Sequence, residues 1–254
     1  MKAFFINLER EGTRRAFQIA QAARLGLDLH RIPAVTRDEV SPPPEDAYWH
    51  GWQRPLRPAE MATLLSHRAA WAAVEREGAP CLILEDDAWL MPEATGFLGA
   101  VAGLGDIDHL SLETRDRFKI LGRVHPGHGG IRRLILDRSG AAAYVLWPSG
   151  ARKLLARTER RPGLADAVLM ETRGLSSWQA DPALAIQIDM AARYGRVAPI
   201  PVASSISDTE RPARATRRFR LRRNLEMLRL GARMLRLALG AERRKVPLSQ
   251  SAGD

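Results

Sequence analysis

Four apolar residues end in three consecutive carboxylates in the run Cys81-Leu82-Ile83-Leu84-Glu85-Asp86-Asp87, the strongest indication of fold in the sequence. A short apolar run of this kind is typical of a buried strand, and ligands of open α/β sheets bind at the carboxyl ends of such strands. Glu85 and Asp87 are two positions apart, so both can face one hard cation that also bridges the phosphates of a nucleotide. The run therefore predicts a site at a strand end; the alternative is a solvated acidic loop.

The flanking segments predict an α/β fold. Strands are expected over residues 2–6, 29–35, 81–84, 107–112 and 132–136, and helices over 13–25, 59–75, 92–102 and 148–157. The first strand, helix and second strand form one βαβ unit, with Thr13 as N-cap and Gly26 as the stop, which indicates a parallel sheet covered by helices.

Two segments are expected to lie outside regular structure. Residues 41–55 are rich in proline, which removes backbone donors and fixes φ, so they are expected to form an irregular excursion. Tyr48, Trp49 and Trp52 within it are suited to stacking on a ring. Residues 125–130 carry two histidines and three glycines and are predicted to form a partly mobile loop.

Composition limits the class of protein. A chain of 254 residues with 45% hydrophobic content can bury a full core. Cys81 is the single cysteine, so no internal disulfide can form and a reducing compartment is expected. The first residues are too short an apolar run for a signal peptide, and no uncharged stretch approaches the roughly 18 to 20 residues that span a bilayer. The expected location is cytoplasmic.

The net charge of +10 is concentrated near the C-terminus. Residues 211–245 contain 13 Lys+Arg against two acids, whereas the remainder contains 26 basic and 27 acidic residues. Two leucine and methionine rows on a helix edged by arginines predict an amphipathic tail that binds an anionic membrane surface. The alternatives are a helix packed on its own domain or on a second subunit in a homodimer. Nucleic acid is not expected as a partner, because Phe219 is the one aromatic residue of the tail.

Several short motifs follow one another along the chain: Phe5-Ile6-Asn7-Leu8-Glu9-Arg10 with Arg14-Arg15, Glu60-x-Ala62, Leu65-Ser66-His67, Ile83-Leu84-Glu85-Asp86-Asp87-Ala88, Ala143-Tyr144, Gly150-Ala151-x-Lys153-Leu154-Leu155, Asp166-x-x-Leu169, Pro182, Gln187 and Ser204-Ser205-Ile206. Their order resembles glycosyltransferase family 25, the lipopolysaccharide and lipooligosaccharide galactosyltransferase-like family. The resemblance covers about residues 2–207. Thr63 departs from the cysteine more usual there, and Leu164-Ala165 replaces the more usual proline and valine.

The resemblance implies a GT-A-like, Rossmann-related fold that binds a nucleotide sugar. It also implies a donor that is usually UDP-galactose and an inverting hexosyl transfer assisted by a divalent metal, Mn²⁺ or Mg²⁺. We expect a catalytic domain over residues 1–209 and a basic amphipathic helix and tail over 210–254. The acceptor would be an oligosaccharide or lipid-linked surface glycan at the inner face of the cytoplasmic membrane.

The carboxylates are assigned to the metal and donor. A cation held by carboxylates neutralises the charge that develops on a departing diphosphate. Asp87 is the expected direct metal ligand, and Glu85 would bind the metal through water or contact the donor ribose. Asp86 is expected to point away from both, toward the donor sugar or behind the site.

Further donor contacts are predicted near the first strand and on the following long helix. Asn7 and Leu8 follow the first strand, where they can read a nucleobase; turn formation is the alternative for Asn7. Arg10, Arg14 and Arg15 either contact phosphate or coat the first helix. Glu60 and His67 share a helix face, His67 as a catalytic or a core histidine and Glu60 as a donor contact or an acid favoured by the helix dipole.

An inverting transfer needs a base that removes the proton of the acceptor hydroxyl. Asp166 is the preferred base because it matches the aspartate motif of the family, and Glu171 is the reserve. Alternatively, Asp166 is an exposed acid near Arg160 and Arg161. Two rival functions stay open: another metal-dependent nucleotide-using enzyme, such as a nucleotidyltransferase or phosphohydrolase, and a non-catalytic adaptor that binds membrane or nucleic acid.

Overall fold

The computed structural model describes residues 1–137, 140–201 and 240–250, with positions 219, 223–225, 228 and 231–232. The strands are β1 (Lys2–Asn7), β2 (Asp28–Pro33), β3 (Cys81–Glu85), β4 (Ala88–Leu90), β5 (His109–Ser111), β6 (Phe118–His125), β7 (His128–Leu136), β8 (Ala143–Leu146), β9 (Ser177–Ala180), β10 (Ala185–Gln187) and β11 (Glu242–Lys245). The helices are α1 (Gly12–Leu25), α2 (Pro58–Glu77), α3 (Ala94–Val101), α4 (Pro148–Arg160) and α5 (Ala165–Glu171).

Within these residues, nine strands form one mixed sheet in the order β11-β6-β7-β9-β5-β8-β3-β1-β2. β1 pairs in parallel with both β2 and β3, and Ile6 lies opposite Glu85. β8 is antiparallel to β3 and β5, its neighbours on either side. β4 and β10 form a separate antiparallel pair in which Gln187 lies opposite Ala88. The α/β class predicted from the sequence is confirmed.

The predicted βαβ unit is present, and its boundaries differ slightly. α1 ends at Gly26, which adopts the left-handed conformation (φ 63°) that glycine accommodates at a helix C-terminus. The helix begins earlier than predicted, at Gly12 with Glu11 as N-cap, so the prediction of Thr13 as N-cap is wrong.

Two apolar cores cover the two faces of the sheet. α2, α4 and α5 pack on one face, where buried residues include Ile83, Tyr144 and Leu154. α1 and α3 pack on the other, around Phe5, Leu84 and Leu98. Because the residues of β3 alternate between these cores, the strand is buried on both sides and its end carries Glu85 to the sheet edge.

The excursion over residues 41–55 belongs to the first core. A 3-10 helix, Ala47–Gly51, lies within it, and Trp49 and Trp52 are 1% and 4% exposed. The indole N–H of Trp49 donates to the carbonyl of Pro42 at 2.9 Å. The prediction that Trp49 and Trp52 stack on a ring is therefore wrong, because their rings are buried in this core, and partly buried Tyr48 packs against the same core.

The loop predicted over residues 125–130 is instead the turn of a hairpin. β6 and β7 are antiparallel, and His125 lies opposite His128. The Nδ1 atom of His125 accepts the backbone N–H of Gly127, and that of His128 accepts the N–H of Gly130, both at 3.0 Å. These side chains close the turn.

The predicted C-terminal tail contains a segment that joins the domain. β11 extends the sheet by pairing antiparallel with β6, and Arg244 forms an ion pair with Asp181 at 2.9 Å. Val246 is 1% exposed in a small core with Leu121. Positions 219, 223–225, 228 and 231–232 are helical, and the rest of the predicted tail helix up to residue 239 lies outside the described residues. The domain boundary at 209 stays a prediction.

Candidate active site

The carboxylates that follow β3 lie where the sequence predicts them. Glu85 ends the strand, and Asp86 and Asp87 form the turn into β4. The amide nitrogen of Gln187 lies 3.3 Å from Glu85 Oε2 and 3.4 Å from Asp87 Oδ1, so it bridges the two acids. Burial, and then the negative charge of Glu85, raise the pKa of Asp87 to about 7. This pair of acids therefore concentrates negative charge that a cation would relieve.

Asp86 takes its hydrogen bonds from β1 and α1, whereas Glu85 and Asp87 share Gln187. It accepts hydrogen bonds from the Asn7 amide and from Arg14, each at 2.9 Å. Burial raises its pKa in spite of these two donors. Arg14 also lies 3.9 Å from Asp87, so this arginine stands beside the candidate metal ligand.

Asn7 is 1% exposed, and its side chain is used within the protein. Its amide nitrogen donates to Asp86 and to the Glu11 carbonyl, and its oxygen accepts from Arg15 and Arg31 at 3.3 and 3.2 Å. This pattern joins β1, α1 and β2 at the sheet edge. Recognition of a nucleobase through Asn7 stays a prediction, as does the role of half-buried Leu8.

The other candidates near β1 and the start of α2 are held in ion pairs. Arg15 pairs with Glu9 at 2.8 Å, and the side chain of Arg10 is 63% exposed and lies 3.8 Å from Glu11. Burial opposes ionisation of Glu60, but hydrogen bonds from Arg54 and Arg57 prevail and lower its pKa to about 2. The same carboxylate accepts the Arg57 backbone N–H and thereby caps α2. The donor contacts expected of Arg10, Arg15 and Glu60 stay predictions.

His67 connects α2 to the acids. Its Nε2 lies 3.2 Å from Glu85 Oε1, and its Nδ1 lies 3.0 Å from the Tyr144 hydroxyl. The ring is 1% exposed. His67 is therefore buried, as a core histidine would be, and it also contacts a predicted site residue.

Asp166 lies in the first turn of α5, within electrostatic reach of the same acids. Burial, followed by the negative charges of Glu85 and Asp137, raises its pKa, while the positive charge of Arg54 lies nearby. Glu171, at the other end of α5, accepts a hydrogen bond from Gln53 at 2.9 Å and lies 3.9 Å from Arg157. Asp166 is thus the acid of α5 on whose pKa the charge of Glu85 acts, and its role as the base stays a prediction.

Sequence reasoning missed a buried ionic cluster beside these acids. Lys119 Nζ lies 2.6 Å from both Asp137 and the Gln179 side-chain oxygen, and 2.9 Å from the Glu113 carbonyl. Burial, in spite of Lys119, raises the pKa of the Glu113 carboxyl to about 8. No sequence signal marks this cluster, because its members come from four separate segments.

The residues present fit a divalent cation as part of a shared site. Among the described residues, no group of three or more His, Cys, Asp and Glu side chains is arranged to hold a metal alone. Glu85 and Asp87 supply hard carboxylate oxygens, which divalent cations such as Mg²⁺ and Mn²⁺ prefer. A nucleotide diphosphate carries the further oxygen ligands that such a site would need.

A family model supports the resemblance found in the sequence. Residues 1–103 match glycosyltransferase family 25 (LPS biosynthesis protein), which confirms the resemblance over this part of the chain. The match includes Asn7, His67 and the Glu85–Asp87 run, whereas Asp166 and Gln187 lie beyond it. It supports a glycosyltransferase-like function. No curated protein sequence matches the chain significantly.

Three solved structures show a remote similarity to this chain. The inositol-1-phosphate CTP transferase from T. maritima is 14% identical, with 74% of this chain and 71% of that chain covered and a TM-score of 0.41. A mannose-1-phosphate geranyltransferase from Thermus thermophilus is 11% identical, with 72% and 74% covered and a TM-score of 0.39. A glycosyltransferase involved in the glycosylation of the major capsid of PBCV-1 is 8% identical, with 74% and 94% covered and a TM-score of 0.37. Likenesses this remote carry no argument about activity.

Proposed function

We propose that this chain is a metal-assisted, inverting glycosyltransferase. It would move a hexose, galactose before others, from a UDP-sugar to an oligosaccharide or lipid-linked glycan of the lipopolysaccharide type. The observation that carries the proposal is the Glu85–Asp87 pair at the end of β3, bridged by Gln187 and lying within the part of the chain that matches family 25.

Glu85 and Asp87 would hold Mn²⁺ or Mg²⁺ against the diphosphate of the donor. When bound, the cation stabilises the negative charge that forms as UDP departs. The carboxyl of Asp87 has a pKa of about 7 because it is buried beside Glu85, so a nearby positive charge would favour its ionised form. Gln187 would keep the two carboxylates at a fixed separation.

Asp166 would serve as the general base. The acceptor oxygen forms a bond to C1 of the donor hexose while the bond from C1 to the β-phosphate oxygen breaks, and the electron pair leaves with UDP. The proton of the acceptor hydroxyl passes to the Asp166 carboxylate. Its raised pKa supports this role, because a base is more effective when its pKa lies closer to the working pH.

The first experiment tests the reaction class and the metal. Purified protein is offered UDP-galactose, UDP-glucose and the N-acetyl sugars, and in parallel nucleoside triphosphates and phosphoesters. We expect a UDP-sugar to be consumed, with activity lost in EDTA and restored by Mn²⁺ or Mg²⁺. Asp87→Asn should lose activity roughly a hundredfold or more, as for other charge-stabilising groups. Full turnover in excess EDTA would refute the metal, and consumption of triphosphates or phosphoesters alone would favour the rival enzymes.

The second experiment tests the base. Asp166→Asn should abolish transfer while calorimetry still detects UDP binding, because a base that acts on the acceptor contributes mainly in the transition state. Glu171→Gln is the matched control and should stay active. Loss of UDP affinity together with activity would reassign Asp166 to the donor site, and an active Asp166→Asn enzyme would move the assignment to Glu171.

We further propose that the basic segment over residues 211–236 binds an anionic membrane surface at the inner face of the cytoplasmic membrane. The segment holds ten arginines against one acid. Leu225 and Leu228 are 44% and 71% exposed. None of the helices in the described part of the chain has the length and hydropathy of a membrane span.

A variant with the arginines of residues 211–236 changed to glutamine should no longer sediment with anionic vesicles at low salt. Equal sedimentation with neutral vesicles would contradict recognition of an anionic surface, and loss of a dimer in the variant would favour a subunit contact instead.

A further inference from the structure

A chain of buried polar groups leads from the core to Glu85. The indole N–H of Trp71 donates to the Tyr144 hydroxyl at 2.8 Å, and this hydroxyl lies 3.0 Å from His67 Nδ1. His67 Nε2 lies 3.2 Å from Glu85 Oε1. Trp71 and Tyr144 are fully buried, and His67 is 1% exposed. Of these four side chains, Glu85 is the one that reaches the candidate active site.

The donors and acceptors along this series of side chains together set the direction of its hydrogen bonds. An indole N–H can only donate, so the oxygen of Tyr144 accepts from Trp71. The hydroxyl proton of Tyr144 has His67 Nδ1 as its one acceptor among the described residues, and donation there leaves the ring proton on Nε2, which faces the acceptor oxygen of Glu85. A neutral imidazole that accepts at Nδ1 carries its proton on Nε2. His67 therefore donates to Glu85.

The other oxygen of Glu85 is held from the opposite side. Gln187 donates to Glu85 Oε2 at 3.3 Å and lies 3.4 Å from Asp87. Both oxygens of this carboxylate thus have a donor, one on α2 and one on β10. A carboxylate held at both oxygens cannot rotate freely, so the direction in which it presents its lone pairs is set by the protein.

We propose that Tyr144 and Trp71 are positioning residues that act on Glu85 through His67. They fix the Nε2–H tautomer of His67, so that the ring always offers a donor to Glu85. The carboxylate is then aimed at the place where a divalent cation and the donor diphosphate would bind. The tautomer is a property of the folded chain; its effect on cation and donor binding rests on the function proposed above.

The arrangement of these hydrogen bonds is more specific than burial alone requires. A polar group left without a partner in the core costs free energy, so each member needs some hydrogen bond. Tyr144 could meet that need with Trp71 alone, and His67 could donate to a backbone carbonyl, as buried histidines commonly do. A purely structural role predicts a loss of stability when the hydroxyl is removed, without a change in the tautomer of His67 or in cation affinity.

The test combines a spectroscopic and a binding measurement on the full chain. ¹⁵N NMR of the histidine rings in mildly alkaline buffer, where free imidazole is neutral, reports which nitrogen of His67 carries the proton. The signals of His67 are identified by their loss in His67→Gln. We expect a protonated Nε2 and an unprotonated Nδ1 in the wild type, and loss of this pattern in Tyr144→Phe. A protonated Nδ1 in the wild type, or an unchanged pattern in Tyr144→Phe, would overturn the proposal.

Calorimetry supplies the second readout, with Mn²⁺ titrated into protein saturated with UDP. Tyr144→Phe should weaken Mn²⁺ binding about 10- to 100-fold, the usual range for partners behind metal ligands. Tyr48→Phe is the matched control, because the Tyr48 hydroxyl donates to the Thr158 carbonyl instead of to a site residue, and its Mn²⁺ affinity should equal that of the wild type. Equal weakening in both variants would refute a specific action on Glu85.

A variant that keeps the Tyr144 hydroxyl is the control for misfolding of Tyr144→Phe. Trp71→Phe removes the N–H that occupies one lone pair of the Tyr144 oxygen and holds the hydroxyl in place. His67 should then show a mixture of tautomers, and Mn²⁺ affinity should fall by less than in Tyr144→Phe. A wild-type tautomer pattern in Trp71→Phe would overturn the role of Trp71. These outcomes can be told apart from those that test the proposed function. A protein that transfers no sugar but shows the expected tautomers of His67 would refute the reaction and support the positioning role of Tyr144 and Trp71.

Discussion

The buried ion pair between Lys119 and Asp137 allows a quantitative test of the core beside the site. Their side chains are 2% and 3% exposed, and Nζ and Oδ2 are 2.6 Å apart. Lys119→Met keeps the volume of the side chain but removes the ammonium that neutralises Asp137. Removing one partner of a buried pair costs about 3–5 kcal/mol, because the carboxylate that stays in the core loses the attraction of the ammonium.

Urea unfolding followed by circular dichroism measures this loss of unfolding free energy, and thermal unfolding measures the accompanying change in Tm. In a chain of this length each kcal/mol corresponds to about 2–4 °C in Tm, so Lys119→Met should melt about 6–20 °C below the wild type. Asp137→Asn in the Lys119→Met background should recover part of the loss, since the remaining buried charge is removed. Single and double variants whose free energies simply add, or a Lys119→Met loss under about 1 kcal/mol, would refute the reasoning.

Two further predictions concern buried contacts near the site. Burial raises the pKa of the Glu113 carboxyl to about 8. Between about pH 4.5 and pH 8 this carboxyl is therefore protonated in the folded protein and ionised in the unfolded protein. Its contribution to the free energy of unfolding is present below about pH 4.5 and is lost as the pH rises toward 8. Glu113→Gln should therefore flatten the fall in unfolding free energy between pH 5 and 8, measured in urea; an unchanged slope would contradict the assignment. Gly150→Ala should cost about 1–3 kcal/mol, because the new Cβ would overlap the backbone carbonyl oxygen of Asp108. Gly99→Ala in α3 is the control: no atom lies within 4 Å of its new Cβ and alanine is the better helix former, so this variant should melt at or slightly above the wild-type temperature.

Local sequence patterns were sufficient for the elements that begin the fold. The apolar run ending at Glu85, the helix stop at Gly26 and the long helix around Leu64 each follow from residues close in sequence, and the structure contains all three. The placement of the acids at a strand end follows from the same pattern, because the carboxyl end of a strand is set by where its apolar residues stop.

Features that depend on distant pairing could not be predicted in the same way. Gln187 reaches Glu85 and Asp87 because three-residue strands β4 and β10 pair, and such short strands leave no periodicity in the sequence. Tyr144 and Trp71 are 73 positions apart, so their hydrogen bond is visible only once β8 and α2 pack together. β11 is polar and follows an apolar helical pattern, and its strand conformation comes from pairing with β6.

The pairing of β11 with β6 also has a consequence for biosynthesis. A ribosome adds about 5–20 residues per second, so the roughly 120 residues between these strands take about 6–24 s to make. During that interval the outer edge of β6 has no partner strand, and half-exposed Phe118 lies on it. Unpaired strand edges recruit other chains, so nascent molecules are most prone to aggregate in this window. Slow translation or premature termination after the hairpin would lengthen that exposure and lower the yield of folded protein.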